Sequence, residues 1–468
     1  MTATVMPAYH RYHIETRLTP DLVPHPPRFR VRVKKHRLLA MALKEVLAHR
    51  GNLRVALSRP CVYGVYSRPV GGLAPREELC VGCLRCTVEH PEVVQILPHP
   101  DQARLGDAYI KPEYVDTILY EARTGRVPVR GAGYRGPFGG AGWDGMWTDM
   151  SEIVRPTRDG IHGREYISTA VDLGEKPPFL EFHNGGEPTG PLPRVISTQV
   201  PFLFDAPPAS APAAQLLPIL AEAACQVETL AIVPLDLALR LSLSGPSIVP
   251  WISPGDDSLL DRLERLSDPP PMLMLQGWDE TRYQALRRRF PDSLIAVRLP
   301  LGSDLMPLVE RGVRLFHLEA NYHGQVDGRF AMDLIQETHW RLVKAGRREE
   351  VTLIGSGGIV MAEHVPKAII SGLDAVALDT ALWVALQARF EGECVDRETA
   401  RVTFPRLERT WGVQRLKNLV ASWRDQLLEI LGAMGLREVR RLRGELGRAM
   451  FQQDLEREAF AGIEGYGA

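Results

Sequence analysis

The strongest constraint on the fold is a series of eight short apolar, β-branched runs. They are VISTQVPFLF (195–204), TLAIVP (229–234), SIVPWIS (247–253), MLMLQG (272–277), LIAVRLP (294–300), RLFHLEA (314–320), VTLIGSGG (351–358) and AVALDT (375–380). Each is apolar along most of its length rather than at alternate positions, which indicates strands buried on both faces, as in a parallel sheet. Parallel neighbours need long crossovers, usually helical. Helical patterns such as LLDRLERL, DETRYQALRRRF and AEHVPKAIISG lie between the runs. Eight strand–helix units predict an α/β chain built on a (β/α)8 TIM barrel. Its connections are short except over 321–350, which carries the helical stretch IQETHWRLVKAG and is the candidate lid or substrate loop.

The rest of the 468 residues divides around that barrel, which is taken as 193–399. Residues 1–58 read as an N-terminal extension. It contains a basic stretch (Arg28, Arg30, Arg32, Lys34, Lys35, Arg37) that suits either a solvated face or docking of an acidic redox partner. Residues 59–130 hold a cysteine cluster and many turn residues. Residues 131–192 are rich in Gly, Trp, Asp and Arg without periodicity and read as an irregular linking segment. Residues 400–468 read as a C-terminal helical extension, with the arginines and glutamates of LREVRRLRGELGRAMFQQDLEREAF interleaved at helical spacing.

Composition narrows the function class. The formal net charge of −1 argues against generic nucleic-acid binding. No apolar run approaches the ~18 residues of a membrane helix, and the N-terminus lacks the apolar core of a secretory signal. The expectation is a cytoplasmic protein without membrane insertion. Six cysteines are too few for a disulfide scaffold, and three of them fall within seven residues.

Those three are Cys80-x2-Cys83-x2-Cys86, followed by Thr-Val-Glu-His90-Pro91. Two-residue spacers let three thiolates converge on one cluster, and the run is the bacterial ferredoxin pattern with His90 in the fourth cysteine's place. That fourth cysteine normally serves a second cluster, so its replacement points to one [4Fe–4S] cluster with a ligand from elsewhere. Cys61, beside Pro60, is the nearest candidate, and His90 is the alternative. Structural zinc is a competing reading, although zinc sites usually pair two such knuckles and only one is present. Cys225 and Cys394 sit in apolar or helix-end contexts and read as packing residues.

The second chemical signal lies at the ends of the last two strands. Strand seven closes on Gly355-Ser356-Gly357-Gly358-Ile359, and strand eight on Asp379-Thr380-Ala381. Barrels of this kind commonly seat a phosphate on the loops after these strands, where glycines let backbone N–H groups approach. The Asp379 carboxylate is unfavourable for that reading unless it points away. Arg298, near the end of strand five, is placed to stabilise an anionic reduced flavin ring or else to pair with Glu319 on the next strand. Glu319, His323 and Gln276 are candidates to hold or protonate a substrate. His317, further back along its strand, is expected beneath the mouth.

The stretch IQETHWRLVKAGRREEVTLIGSGGIVMAEHVPKAIISGLDAVALDTALWVAL (335–386) resembles the FMN-binding barrel of glutamate synthase. LREVRRLRGELGRAM (436–450) is similar to the same family. MWTDMSEIVRPTRDGIHGREYIS (146–168) looks like the segment before the barrel in glutamate-synthase-like proteins with an attached ferredoxin motif. The resemblance spans roughly 80–468. It implies FMN, with its phosphate at Gly357, Gly358 and Thr380, with Ile359 and Asp379 also at the cofactor, and with Arg298 where the family has a flavin-contacting lysine. The family's GGTGA-type loop after the sixth strand is replaced here by Asn321-Tyr-His323-Gly-Gln325-Val-Asp327-Gly.

Together these readings give a glutamate-synthase-like, FMN-dependent oxidoreductase. Electrons would pass between the cluster on Cys61, Cys80, Cys83 and Cys86 and FMN, and a small amino- or imino-acid-type substrate would be reduced or oxidised. A ferredoxin or another oxidoreductase subunit would be the redox partner. The altered loop and Asp379 support an alternative, a non-catalytic electron-transfer or scaffold subunit with a degenerate barrel.

Overall fold

The computed structural model describes residues 12–52, 61–68, 71–129, 139–148, 166–176, 180–190, 192–255, 258–266, 268–459 and 462–463. Most of the segment 146–168, and much of the linking segment 131–192, lies outside the described residues. Two compact units are present. One comprises Asp21–Thr117 and Val127–Phe138; the other comprises Met1–Pro20, Ile118–Arg126 and Gly139–Ala468. The cysteine unit therefore begins well before residue 59.

The larger unit is a closed barrel of eight parallel strands in chain order. Its elements alternate as β1 (Phe202–Phe204), α1 (Ala213–Gln226), β2 (Ala231–Pro234), α2 (Leu235–Arg240), β3 (Ile248–Ile252), α3 (Leu259–Leu263), β4 (Met272–Gln276) and α4 (Glu280–Arg289). They continue as β5 (Leu294–Pro300), α5 (Met306–Glu310), β6 (Leu315–Glu319), α6 (Ala331–Lys344), β7 (Thr352–Ser356), α7 (His364–Ser371), β8 (Ala375–Leu378) and α8 (Thr380–Ala385). The strands are buried almost throughout, as their unbroken apolar runs require. α8 has only six residues, too short to cover the wall between β8 and β1. A longer helix, α9 (Arg409–Ala433), packs on α1 instead. Gly412 permits that approach, since a Cβ there would lie 2.7 Å from the Ile219 side chain.

Two expectations are corrected. The first apolar run is not one strand. Val195–Thr198 pairs antiparallel with Val171–Gly174, and only Phe202–Phe204 enters the barrel. Thr352, the first residue of β7, bonds through its Oγ1 to the carbonyl of Gly174 at 2.9 Å, which fixes this hairpin at the strands' N-terminal end. The chain break falls at Pro201, which has no N–H for a ladder. The second correction concerns 436–459, which is not a continuous helix. It forms turns at Val439–Leu442 and Leu446–Arg448, then a strand, Ala449–Phe451, paired antiparallel with Met146–Thr148, and turns helical again only over Gln452–Glu458. Gly444, at φ +74°, turns the chain out of helical geometry. Among the described residues no helix is long and apolar enough to cross a membrane.

In the smaller unit, strand Phe29–Val33 pairs antiparallel with Val94–Pro98, and helix Lys35–Ala48 follows. The basic stretch 28–37 is thus part of a strand and a helix start. Val31 points into a small core with Val65, Val93 and Val94, and Arg32 is exposed.

Candidate functional site

Two places bring the sequence-predicted residues together, one in each unit. In the smaller unit Cys61, Cys80, Cys83 and Cys86 line one small pocket with Tyr63, Tyr66, Leu84 and Ile96. All four thiols are free of disulfides. The loop that gathers them uses two left-handed residues, Gly82 at φ +71° and Leu84 at φ +57°. Gly82 is also required sterically, since a Cβ would meet the Phe29 ring at 2.5 Å. Its N–H donates to the Cys80 sulfur. Burial, with smaller contributions from the neighbouring Cys86, Cys61 and Cys83, pushes the Cys80 thiol up to about 11, against the Gly82 hydrogen bond that lowers it. A cationic centre bound among the sulfurs would reverse that penalty.

His90 ends the short helix Arg85–Glu89, is exposed, and does not line the pocket. Of the two candidates for the fourth position, Cys61 lines the pocket and His90 does not.

In the barrel, the strand register puts Gln276 beside Arg298 and Arg298 beside His317. Contacts that skip a strand show these side chains point inward. His317 Nδ1 lies 3.3 Å from Met274 Sδ, two strands away, and Gln276 Nε2 donates to Glu319 Oε1 at 3.0 Å. Arg298 is buried to 1% exposure and saturated with carboxylates. Its Nε donates to Glu319 at 2.7 Å, and its two terminal nitrogens donate to Asp205 at 3.0 and 2.9 Å. Arg397, from the loop after α8, donates to Asp205 at 3.1 Å and to the carbonyls of Ala206 and Pro207. The Trp251 ring lies against both guanidinium groups, at 4.7 and 5.0 Å.

The network of Arg298, Arg397, Asp205 and Glu319 is formally neutral. Burial alone would raise the Asp205 carboxyl, but Arg298 and Arg397 outweigh it and hold the group well below the carboxylate range. Glu319 is lowered too, with Arg298 overcoming its burial. His317 is pushed down to about 3 by burial and by Arg298, so it is neutral, with Nε2 2.9 Å from Ser356 Oγ. As expected, it sits beneath the mouth. Asp205, Arg397 and Trp251 escaped the sequence reading. Asp205 carried a signal, an acid directly after an apolar strand at the end where barrel sites form; Arg397, in an irregular loop, carried none.

His323 does not join this network. Its ring faces Glu393 at 4.0 Å, and its backbone N–H bonds to the Asn321 side chain. The candidate lid holds a small hairpin, Gln325–Val326 with Arg329–Phe330, and Phe330 packs edge-on against Trp143 at 5.5 Å.

At the other end of the candidate flavin site, Gly357 and Gly358 have φ of +96° and +72°. The need for Gly357 is internal, since a Cβ would lie 2.5 Å from the carbonyl oxygens of Ala320 and Asn321. Ile359 is buried. Asp379 caps α8: its Oδ1 accepts from the backbone N–H of Thr380, and from Thr380 Oγ1 at 2.9 Å. Burial pushes Asp379 up to about 6, against the Thr380 hydrogen bonds that lower it. Every residue from 351 to 388 except Glu363 is buried, so both loops are covered by protein.

Comparison with known proteins agrees with the sequence resemblance. Residues 328–437 match the conserved region of glutamate synthase. The chain resembles glutamate synthases. It is 38% identical over 115 residues to the archaeal glutamate synthase (NADPH) of Methanocaldococcus jannaschii, a match covering 23% of this chain and 22% of that protein. It is 24% identical over 488 residues to the Archaeoglobus fulgidus enzyme of the same name, covering 87% of this chain and 94% of that one. Among solved structures, the flavin-binding domain of baker's yeast flavocytochrome b2 aligns at 12% identity and TM-score 0.43, over 66% of this chain and 76% of that one. A likeness that weak carries no information about the site.

Proposed function

We propose that this chain is an electron-transferring protein of the glutamate-synthase-like type, whose redox centre is one [4Fe–4S] cluster on Cys61, Cys80, Cys83 and Cys86. The observation that carries the reading is the convergence of four free thiols, from two separate stretches, on one pocket. When bound, the cluster supplies one-electron chemistry. The chain's own part is to hold four thiolates, to donate the Gly82 N–H to the Cys80 sulfur, and to wall the site with Ile96 and Leu84. A soluble redox partner, such as ferredoxin or another oxidoreductase subunit, would exchange electrons with it. The exposed cations Arg32, Lys34 and Lys35 in the same unit suit an acidic partner. Cys83→Ser tests the ligand set: the expected result is loss of iron with the barrel still folded, and unchanged iron would refute it.

A second reading, an FMN-dependent oxidoreductase acting on a small amino- or imino-acid-type substrate, is favoured by the match over 328–437. FMN would bring a phosphate to the turns after β7 and β8 and an anionic ring edge to Arg298. The residues at those points do not fit it as they are arranged. Thr380's donors are engaged by Asp379, and Arg298 is already paired with Asp205 and Glu319. No chemical step is therefore drawn through a flavin.

A further inference from the structure

We infer that Asp379 is this barrel's built-in substitute for a cofactor phosphate, and that its carboxylate keeps a phosphate-bearing flavin out of the turn after β8. The inference goes beyond the cluster reading and bears on the second one.

Three observations carry it. First, the Asp379 carboxylate takes the backbone N–H and the hydroxyl of Thr380, the donors that a phosphate at this turn would need. Second, the glycine at the neighbouring turn is accounted for without a ligand, since a Cβ at Gly357 would lie 2.5 Å from the carbonyl oxygens of Ala320 and Asn321. Third, Asp379 and Thr380 are almost fully buried, at 3% and 0% exposure, so no water layer screens a phosphate from the carboxylate. The cation predicted to face the flavin ring offers no compensation, because Arg298 is held by Asp205 and Glu319 within a neutral network.

The two anions would compete for one set of donors, so removing the charge should favour the ligand. Asp379→Asn is the informative variant, because asparagine also caps helices and α8 should keep its start. The experiment titrates FMN and riboflavin, by quenching of flavin fluorescence, against the full wild-type chain and Asp379→Asn. Iron content is measured on the same samples.

The expected result is that wild type purifies without flavin and does not prefer FMN over riboflavin. Asp379→Asn should bind FMN at least tenfold more tightly than wild type, while its riboflavin affinity stays unchanged. Riboflavin lacks the phosphate, so the ratio of the two isolates the effect at this turn. Wild type carrying stoichiometric FMN would overturn the inference. So would an Asp379→Asn protein of native circular dichroism with the same FMN-to-riboflavin ratio as wild type. If the variant loses its native spectrum, Asp379→Ser, another capping residue without charge, is read by the same criteria. Iron is held by the other unit, so its absence would sink the cluster reading without touching this one.

Discussion

Removing Asp205 should cost the barrel far more than an average substitution. In the native protein its two oxygens accept from both terminal nitrogens of Arg298 and from Arg397, and also from the N–H of Ala206. Asp205→Ala changes the buried network from neutral to a net positive charge and leaves Arg298, at 1% exposure, with Glu319 as its remaining carboxylate. Breaking a buried ion pair by deleting one partner costs about 3–5 kcal/mol, mostly the penalty of the charge left behind. A value near 4 kcal/mol is expected here, because three hydrogen bonds to guanidinium groups disappear together. The double variant Asp205→Leu/Arg298→Met restores neutrality, since Arg397 then balances Glu319. It should lie within about 2 kcal/mol of wild type, because apolar replacement of a whole buried pair is often near neutral. Urea unfolding followed by tryptophan fluorescence and far-ultraviolet circular dichroism measures both. An Asp205→Ala cost under about 1 kcal/mol, or a double variant as unstable as the sum of its singles, would refute the account of a coupled buried network.

Two further outcomes follow from buried groups. Glu121 is fully buried in the larger unit, accepting from Trp423 Nε1 and Gln426 Nε2 at 2.8 Å each, and burial raises its carboxyl from 4.5 to about 7. The unfolded chain releases this proton first, so the group's contribution to stability falls as pH rises from about 4.5 to 7 and stays low above that. Relative to Glu121→Gln, wild type should lose about 2.5 kcal/mol between pH 5 and 8; parallel pH profiles of the two proteins would refute the assignment. Gly357→Ala should destabilise the barrel by about 2–4 kcal/mol without any ligand present, because a left-handed φ and two backbone carbonyls at 2.5 Å both oppose a Cβ. A cost below about 1 kcal/mol, read by urea unfolding, would show that the turn is not constrained internally.

The barrel was legible because burial on both faces writes itself into unbroken apolar runs, and seven of the eight runs bracket one observed strand each. The first run misled because Val195–Thr198 and Phe202–Phe204 are both strand-like and only Pro201 marks the break. The C-terminal stretch misled because Arg and Glu at helical spacing satisfy a helix pattern that Gly444 then interrupts. The cysteine pocket was readable from spacing, since a short loop determines where Cys80, Cys83 and Cys86 can point. The ion network was only half readable. Arg298 and Glu319 lie on adjacent strands, but Asp205 is 93 residues from Arg298 and Arg397 is 192 residues from Asp205, so only closure of the barrel brings them together. Asp379 is legible in the sequence as a misfit in a phosphate turn. What the sequence could not show is that it turns back onto Thr380 and replaces the anion.

The most direct test of the central claim is metal and sulfide analysis of the full chain purified without oxygen. The account predicts about four iron atoms and four labile sulfides per chain, and a paramagnetic signal on reduction by one electron. One zinc per chain, with no iron or sulfide, would contradict it.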